Sequence, residues 1–420
     1  MDNSNHNLDT FQKWKSILRD VLSIFQNEFK VVFSDRGVVI VFILASLVYP
    51  LLYCGLYKNE TLVNTPIAVV DKSGSVNSRT LLRHIDASPD VEIAARFTSM
   101  AEAQNAFDER KVHGIVYIPV EFNKKLNSNQ QATVSIYCDM SSFLYYRALM
   151  QACNYSVLDM GKQVQLKRLN AQGIVGESAS IISEPIPFEG IGLYNGGMGF
   201  ASFLMPAILM LIIHQTLFFG ICMLAGTSRE ENRFHELVSS KLHRGGTFRV
   251  IVAKAACYLS MYLIFSVYIL EVIPHIFNLP HIGAPLDILK LMIPFLLATI
   301  FFSMTISVFF PNRETGMILF LFFSLILLFL SGISWPISNI NGFWKAFSWM
   351  FPAVQGIQAY IKINTMGANI SQIKYEYVSL WIQTGLYFIS SIVAYSWQIK
   401  KSTGREMKEE LIQYNAPNTF

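Results

Sequence analysis

Charge is scarce in this 420-residue chain: 15% of its residues are Asp, Glu, Lys or Arg, against 52% hydrophobic ones. Soluble domains carry about 25% charged residues. Such a deficit excludes an ordinary water-soluble domain and points to an integral membrane protein. The net charge of +4 is too small to argue for nucleic acid, and no such partner is expected. Cysteine is sparse too, with five residues. No C-x-x-C pair or His/Cys cluster occurs, so neither a metal nor another cofactor is implied. Cys54, Cys222 and Cys257 fall in apolar runs and read as small hydrophobes. Cys138 and Cys153 lie in a polar stretch, and whether they pair depends on compartment and Cα separation.

Catalytic signatures are missing as well. Without G-x-x-x-x-G-K-[ST] the chain has no P-loop for nucleotide phosphates. G-x-S-x-G, H-E-x-x-H and the kinase set are absent. Asp71 and Asp139 follow strands, where a catalytic carboxylate can sit, but strand-end aspartates are more often turn formers. No catalytic residue and no enzyme activity are expected.

Long apolar runs are what the chain has. Val38 to Tyr57 is free of charge and long enough to cross a ~30 Å hydrocarbon core. Further spans are read at roughly 199–225, 249–272, 288–310, 315–335 and 378–398. Before the first span, Phe11, Trp14, Ile17, Leu18, Val21, Leu22, Ile24 and Phe25 recur at helical spacing with charges between them. That pattern predicts an amphipathic helix lying along the membrane. From Lys58 to about Gly190 polar and apolar residues alternate, and strand patterns ("TPIAVVD", "VEIAARFT", "VHGIVYIP", "QATVSIYCDM") interleave with helical ones. This predicts a small α/β domain.

Lys and Arg placement orients the spans. Lys13, Lys15, Arg19, Lys30 and Arg36 precede the first; Arg229 to Lys254 cluster between the second and third; Arg313 sits between the fourth and fifth; Lys400 and Lys401 follow the sixth. The connection Ile273 to Asp287 has neither residue. Both termini are therefore expected in the cytoplasm and the α/β domain outside. The fold class is an α-helical integral membrane protein of six transmembrane helices, with an extracytoplasmic α/β domain inserted between the first and second. Its expected parts are a cytoplasmic amphipathic helix (1–36), transmembrane helix 1 (37–57), the α/β domain (58–195), a five-helix transmembrane domain (196–400) and a cytoplasmic tail (401–420). Between the last two spans lies a stretch with Trp335, Trp344 and Trp349, interrupted by Pro336 and Pro352, which near 336–364 reads as an outer re-entrant or interfacial helical hairpin.

Inside the spans polar groups are few. His214 lies mid-way along the second span next to Gln215, either as an interhelical hydrogen bonder or on a translocation path. No array of intramembrane carboxylates suggests ion-coupled transport. One stretch stands out: "GTSREENRFHELVSSKLHRGG", charge-rich and helix-patterned, between the second and third spans. It is either a plain charged loop or a surface on which a cytosolic partner pushes.

The order of parts resembles the permease subunit of ABC-2 type exporters, in the branch with a large extracytoplasmic domain. "TPIAVVDKSGSVNSRTLL", "SREENRFHELVSSKLHRGGTFRVIVAKAACY" and "SGISWPISNINGFWKAFSWMFPAVQGIQAY" carry the resemblance. The second is similar to the family's cytoplasmic stretch through Arg229, Glu230, Glu236, Leu237 and Lys254. It departs at Phe234-His235, where the family has Gly-Thr, and at Asn195-Gly196, where it often has Asn-Pro. The resemblance implies a permease of the cell inner (plasma) membrane that forms an export path and dimerises with a second copy or a sister permease. It implies a separate ABC ATPase subunit gripping a coupling helix near 229–245, through Arg229, Glu230, Glu231, Arg233, Glu236 and Leu237. The N-terminal helix would be the family's elbow helix, Phe234-His235 would tune the fit to one ATPase, and the outer domain could meet a periplasmic adaptor. Membrane lipid is the surrounding partner. The competing reading is a membrane-anchored extracytoplasmic ligand-binding sensor or assembly scaffold, in which the charged stretch is a mere loop.

Overall fold

The computed structural model describes residues 2–187, 190–237 and 246–415. The chain divides into two compact units, Met1–Lys58 with Leu193–Phe420, and Asn59–Gly192.

The first unit opens with α1 (Asp2–Ser34). Leu18, Leu22, Phe29 and Phe33 stay exposed along one stripe of it, whereas Glu28 and Val32 are buried. The Asp35 side chain then accepts the Gly37 and Val38 amides at 3.0 and 3.2 Å and starts α2 (Arg36–Leu56). Side chains four residues apart share a helix face, and Val38, Phe42, Ser46, Pro50 and Cys54 are the buried ones. Ile40, Leu44 and Leu52 point outward. Phe42 meets Tyr262 edge-on, with ring centroids 5.2 Å apart. It lies so close over Gly220 that a Cβ there would sit 1.6 Å from Cε1. Gly220→Val should therefore push the first membrane-length helix off the second, at a cost of about 1–3 kcal/mol. Phe42→Ala in the same chain should recover part of the loss, read as the monodisperse fraction in detergent on heating.

The second unit holds β1 (Thr65–Asp71), α3 (Val76–Asp86), β2 (Val91–Arg96), α4 (Met100–Asp108), β3 (Gly114–Ile118), α5 (Phe122–Asn127), β4 (Ser135–Cys138), α6 (Phe143–Ala171) and α7 (Glu177–Ser183). The sheet order is β2-β1-β3-β4, with β1 parallel to β2 and β3, and β4 antiparallel to β3. Alternate residues of β1 face opposite ways. Ile67 and Val69 pack with Leu81, Leu82 and Leu149 of α3 and α6, and Ala68 and Val70 with Ala103 of α4. Asp71 Oδ1 accepts the Ser73 and Gly74 amides at 3.0 Å and Oδ2 the Ser78 hydroxyl at 2.7 Å, so it folds the turn after β1. Asp139 does the same after β4. The Ser141 hydroxyl and amide donate to it, and those bonds hold its carboxyl below the usual range. Cys138 and Cys153 are both free thiols in one core. Burial pushes the Cys153 thiol up to about 12 and raises Cys138 as well.

The first unit resumes at Leu193, just before Asn195. Its side chain accepts the Gly199 amide at 3.1 Å and donates to the Gly199 carbonyl at 2.9 Å, bracing the start of α8 (Phe200–Glu230). Then follow α9 (Gly246–Ile276), α10 (Pro285–Ser307), α11 (Arg313–Leu330), α12 (Gly342–Ser348), α13 (Pro352–Met366) and α14 (Lys374–Asn415). Among the described residues six helices are long and apolar enough to cross a membrane: α2, α8, α9, α10, α11 and the 374–407 part of α14. Each overlaps an expected span. α8 is buried along most of its length, and α10, α11 and α13 pack on it. The interrupted aromatic stretch forms the two short helices α12 and α13, broken at Trp349–Phe351, with α13 mostly buried. Residues 401–415, taken as a tail, continue the last long helix without a break. Lys400 and Lys401 mark where apolarity ends, and Lys, Arg and Glu are good helix formers.

Candidate coupling site

Three helix ends meet where α8 stops. Gly226 lets the start of α11 come close, since a Cβ there would sit 2.5 Å from the Arg313 Cα. Glu230 Oε1 accepts the Arg313 amide at 2.9 Å. A carboxylate on the unsatisfied N–H of a helix start is favoured by both hydrogen bonding and the helix dipole. The Arg313 guanidinium reaches back to Asp35, the cap of α2, and to Thr227 Oγ1. One arginine thus ties α2, α8 and α11 together.

Beyond α8 the backbone reverses at Asn232, whose φ is +51°. A tight helical turn, Arg233–Leu237, follows. Phe234 is 1% exposed, edge-on to Tyr395 at 5.8 Å, with the Arg229 guanidinium 5.8 Å from its ring centre. Arg229 also donates to the Ser307 carbonyl at 3.1 Å, at the C-terminal end of α10, where a cation suits the dipole. The Ser402 hydroxyl donates to the Asn232 carbonyl at 3.0 Å, fastening the turn to α14. Glu231 pairs with Arg233 at 3.0 Å with both half exposed, a contact that contributes little to stability. Glu236 is exposed and Leu237 packs half-buried against the core.

Of the six residues singled out, then, Glu230, Glu231, Arg233 and Glu236 are exposed, whereas Arg229 and Leu237 are partly buried. Phe234 points inward and anchors the turn, so its ring is not a surface that a partner reads. The rest of the charged stretch, 238–245 with Lys241 and Arg244, lies outside the described residues.

Beside this turn runs a cavity of about 400 Å³. Asp20, Asn27 and Glu28 of α1 form one wall, Arg233, Glu236 and Leu237 the other, and Lys254 closes the base. Lys254 Nζ lies 2.6 Å from Glu28 Oε2, and the Tyr258 hydroxyl donates to the other Glu28 oxygen. Lys254 and Glu28 side chains are 8% and 5% exposed. Arg249 joins Asp20 at 2.9 Å, a second tie between α9 and α1. The sequence reading used Lys254 as an orienting charge and in the resemblance, and missed Glu28, Asp35 and the hub role of Arg313. A signal existed for Glu28: a lysine within an apolar run demands a partner. The partner stood 226 positions away, where spacing rules do not reach.

His214 is fully buried in mid-bundle. The Phe218, Phe295 and Phe302 ring centroids lie 6.3–6.4 Å from its own. Gln215, one step round α8, is only partly buried. The two are not brought together with the charged turn.

A family model described as "ABC-2 family transporter protein" matches residues 36–393. The chain belongs to the ABC-2 transporter family. An ABC-2 permease is a multi-pass membrane protein, and the six membrane-length helices α2, α8, α9, α10, α11 and α14 fit that description. A search of curated proteins finds no match to this ABC-2 permease.

Proposed function

We propose that this ABC-2 permease is the membrane subunit of an ATP-driven exporter, and that the turn after α8 couples it to a separate ATPase. The observation that carries the proposal is the construction of that turn. It is anchored from inside by Arg229 and Phe234 and shows Glu230, Glu231, Arg233 and Glu236 to solvent. A mere loop needs no such bracing to three helices. A partner pressing on the exposed carboxylates would push on α10 through Arg229, on α11 through Glu230 and on α14 through Asn232. The chain's own sequence has no P-loop, so nucleotide must be held elsewhere.

In this reading both termini and the charged turn are cytoplasmic, following the Lys/Arg distribution. α1 is a helix on the inner surface of the plasma membrane, its Leu18, Leu22, Phe29 and Phe33 stripe set against lipid. The α/β unit is extracytoplasmic, where an adaptor protein can reach it. The permease works as a dimer with a second copy or sister permease. Gln215, rather than the ring-enclosed His214, is the candidate for the translocation path. No observation favours the sensor reading.

Purification of the tagged chain from native membranes, followed by identification of the proteins retained, tests the proposal. An ABC ATPase is expected in roughly stoichiometric amount. Recovery of the intact chain with no P-loop protein, under conditions that keep other membrane complexes together, would overturn it.

A further inference from the structure

The core of the α/β unit is left open along α6. Met150, Cys153, Val157, Met160 and Val164 recur there at three- and four-residue steps, so they form one stripe of the helix. Val134 and Ile136 lie opposite, on β4 and the residue before it, at the edge of the sheet. Phe122 and Leu126 of α5, with Ala132, complete the wall. Between these surfaces runs a cavity of about 220 Å³ that opens to solvent past Asn154, Val157 and Gly161, all of them exposed.

The opening is built into the fold. Gly161 sits inside a helix, where glycine is a poor choice, and a Cβ there would meet nothing within 4 Å. On the other side Asn129 reverses the chain at a φ of +56°, and the Gln130 amide donates to the Lys125 carbonyl at 2.9 Å. That turn brings Ala132 and Val134 to the sheet edge. Arg168 donates to the Leu126 carbonyl and ties the end of α5 to α6. Apart from the Cys153 thiol, Asn154 is the only polar side chain among the described residues that line the cavity. Apolar gaps stay dry and admit apolar groups.

The two ends of the groove differ in charge. Past Val164 the α6 stripe continues as Lys167 and Arg168, and Lys124 and Lys125 are exposed just before Leu126 on α5. The carboxylates of the surrounding elements are placed elsewhere. Asp159 faces His84 of α3 at 3.4 Å, Glu184 is paired with Lys162 at 2.5 Å, and Glu121 lies at the opposite end of α5 from Leu126. At the Met150 end, Arg147 instead lines a separate small cavity with Glu60 and Asp90.

We infer that this groove binds a single-chain carboxylate, a fatty-acid anion, with its chain along α6 and its head at the Lys167–Arg168 end. From Met150 to Val164 the stripe runs 14 residues (164 − 150), about 21 Å at ~1.5 Å per residue, which accommodates one extended chain. The volume falls below the roughly 300–1,000 Å³ of sites for drug-sized ligands, so there is no room for a second chain. Arg168 keeps donors beyond the one on Leu126, and a guanidinium matches a carboxylate in shape and charge. A neutral alcohol of equal length gains the walls alone. The groove lies wholly within the α/β unit, so the assignment holds whether or not the turn after α8 couples to an ATPase.

Photo-labelling of the full chain in phosphatidylcholine nanodiscs tests the site, with dodecanoate and dodecanol that carry a diazirine near the chain end. It is run at about pH 8.5, where the carboxylate is ionised and lysine protonated. In the wild-type chain both probes should label α6 and the 122–136 segment saturably, the acid at about tenfold lower concentration than the alcohol, as a hydrogen bond between charged groups gives. Lys167→Gln with Arg168→Gln should bring the two probes level. Gly161→Trp, which places a ring in the gap and replaces a poor helix former, should abolish saturable labelling of the unit by both probes without lowering its thermal unfolding. Unchanged acid labelling in Gly161→Trp overturns the groove as the site. Equal labelling by acid and alcohol in the wild-type chain overturns the carboxylate assignment, and so does competition by a single-chain phospholipid as strong as that by unlabelled dodecanoate. Where the double variant fails to fold, Lys167→Gln alone, which leaves the Arg168–Leu126 bond in place, should still narrow the acid preference by at least about twofold; no narrowing overturns the placement of the head.

Discussion

Glu236→Lys should abolish, or lower by at least about tenfold, the stimulation of ATPase turnover by the permease, while the chain still inserts and accumulates normally. Glu236 is exposed on the turn after α8 and lines the cavity between that turn and α1. No core contact is lost when it is reversed, so stability should stay within about 0.5 kcal/mol. The effect is expected at the interface instead, where setting like charges together costs several kcal/mol. Glu236→Gln, which removes charge without reversing it, should fall between. Stimulated ATPase activity of the reconstituted pair, set beside permease abundance, gives the reading; full stimulation by Glu236→Lys would remove this turn from the coupling surface. Arg229→Glu is a poorer test. Arg229 holds the Ser307 carbonyl and covers Phe234, so its reversal sets a carboxylate against a carbonyl and should lower the amount of folded protein.

The second large effect concerns the buried pair under the cavity. Lys254→Met with Glu28 intact should destabilise the bundle by about 3–5 kcal/mol, because a carboxylate is left buried without its cation. Thermal unfolding should then begin roughly 5–15 °C lower. The double change Glu28→Gln with Lys254→Met should recover most of that loss, since replacing both partners leaves no orphan charge. Temperature-dependent gel filtration in detergent resolves this. A double variant no better than the single one would mean that the pair's value lies in packing, through the aliphatic stem of Lys254 and the Tyr258 ring.

The architecture was largely legible in the sequence, because membrane length and strand alternation are local properties. The run Val38 to Tyr57 needs nothing outside itself to declare α2, and "TPIAVVD" declares β1 by its alternation and its closing aspartate. The direction in which each charge of the turn points was not legible. Arg229 lies inside and Arg233 outside because the chain reverses at Asn232, whose positive φ a sequence pattern does not announce. Phe234 looked like a place where a partner's preference could be written, and the same reversal turns it into the core. The pairs Glu28–Lys254 and Asp35–Arg313 join residues 226 and 278 positions apart. Only the packed bundle makes them neighbours.

The unbroken helix Lys374–Asn415 has a mechanical consequence. The turn after α8 grips it at Tyr395 and Ser402. From Ser402 to Lys374 is 28 residues (402 − 374) of one helix, about 40 Å at ~1.5 Å rise per residue. Such a rod is a lever. A tilt of about 10° pivoted at the gripped end swings the other by about 7 Å over that length, so a small rotation at the turn becomes a large displacement at the far end of the helix.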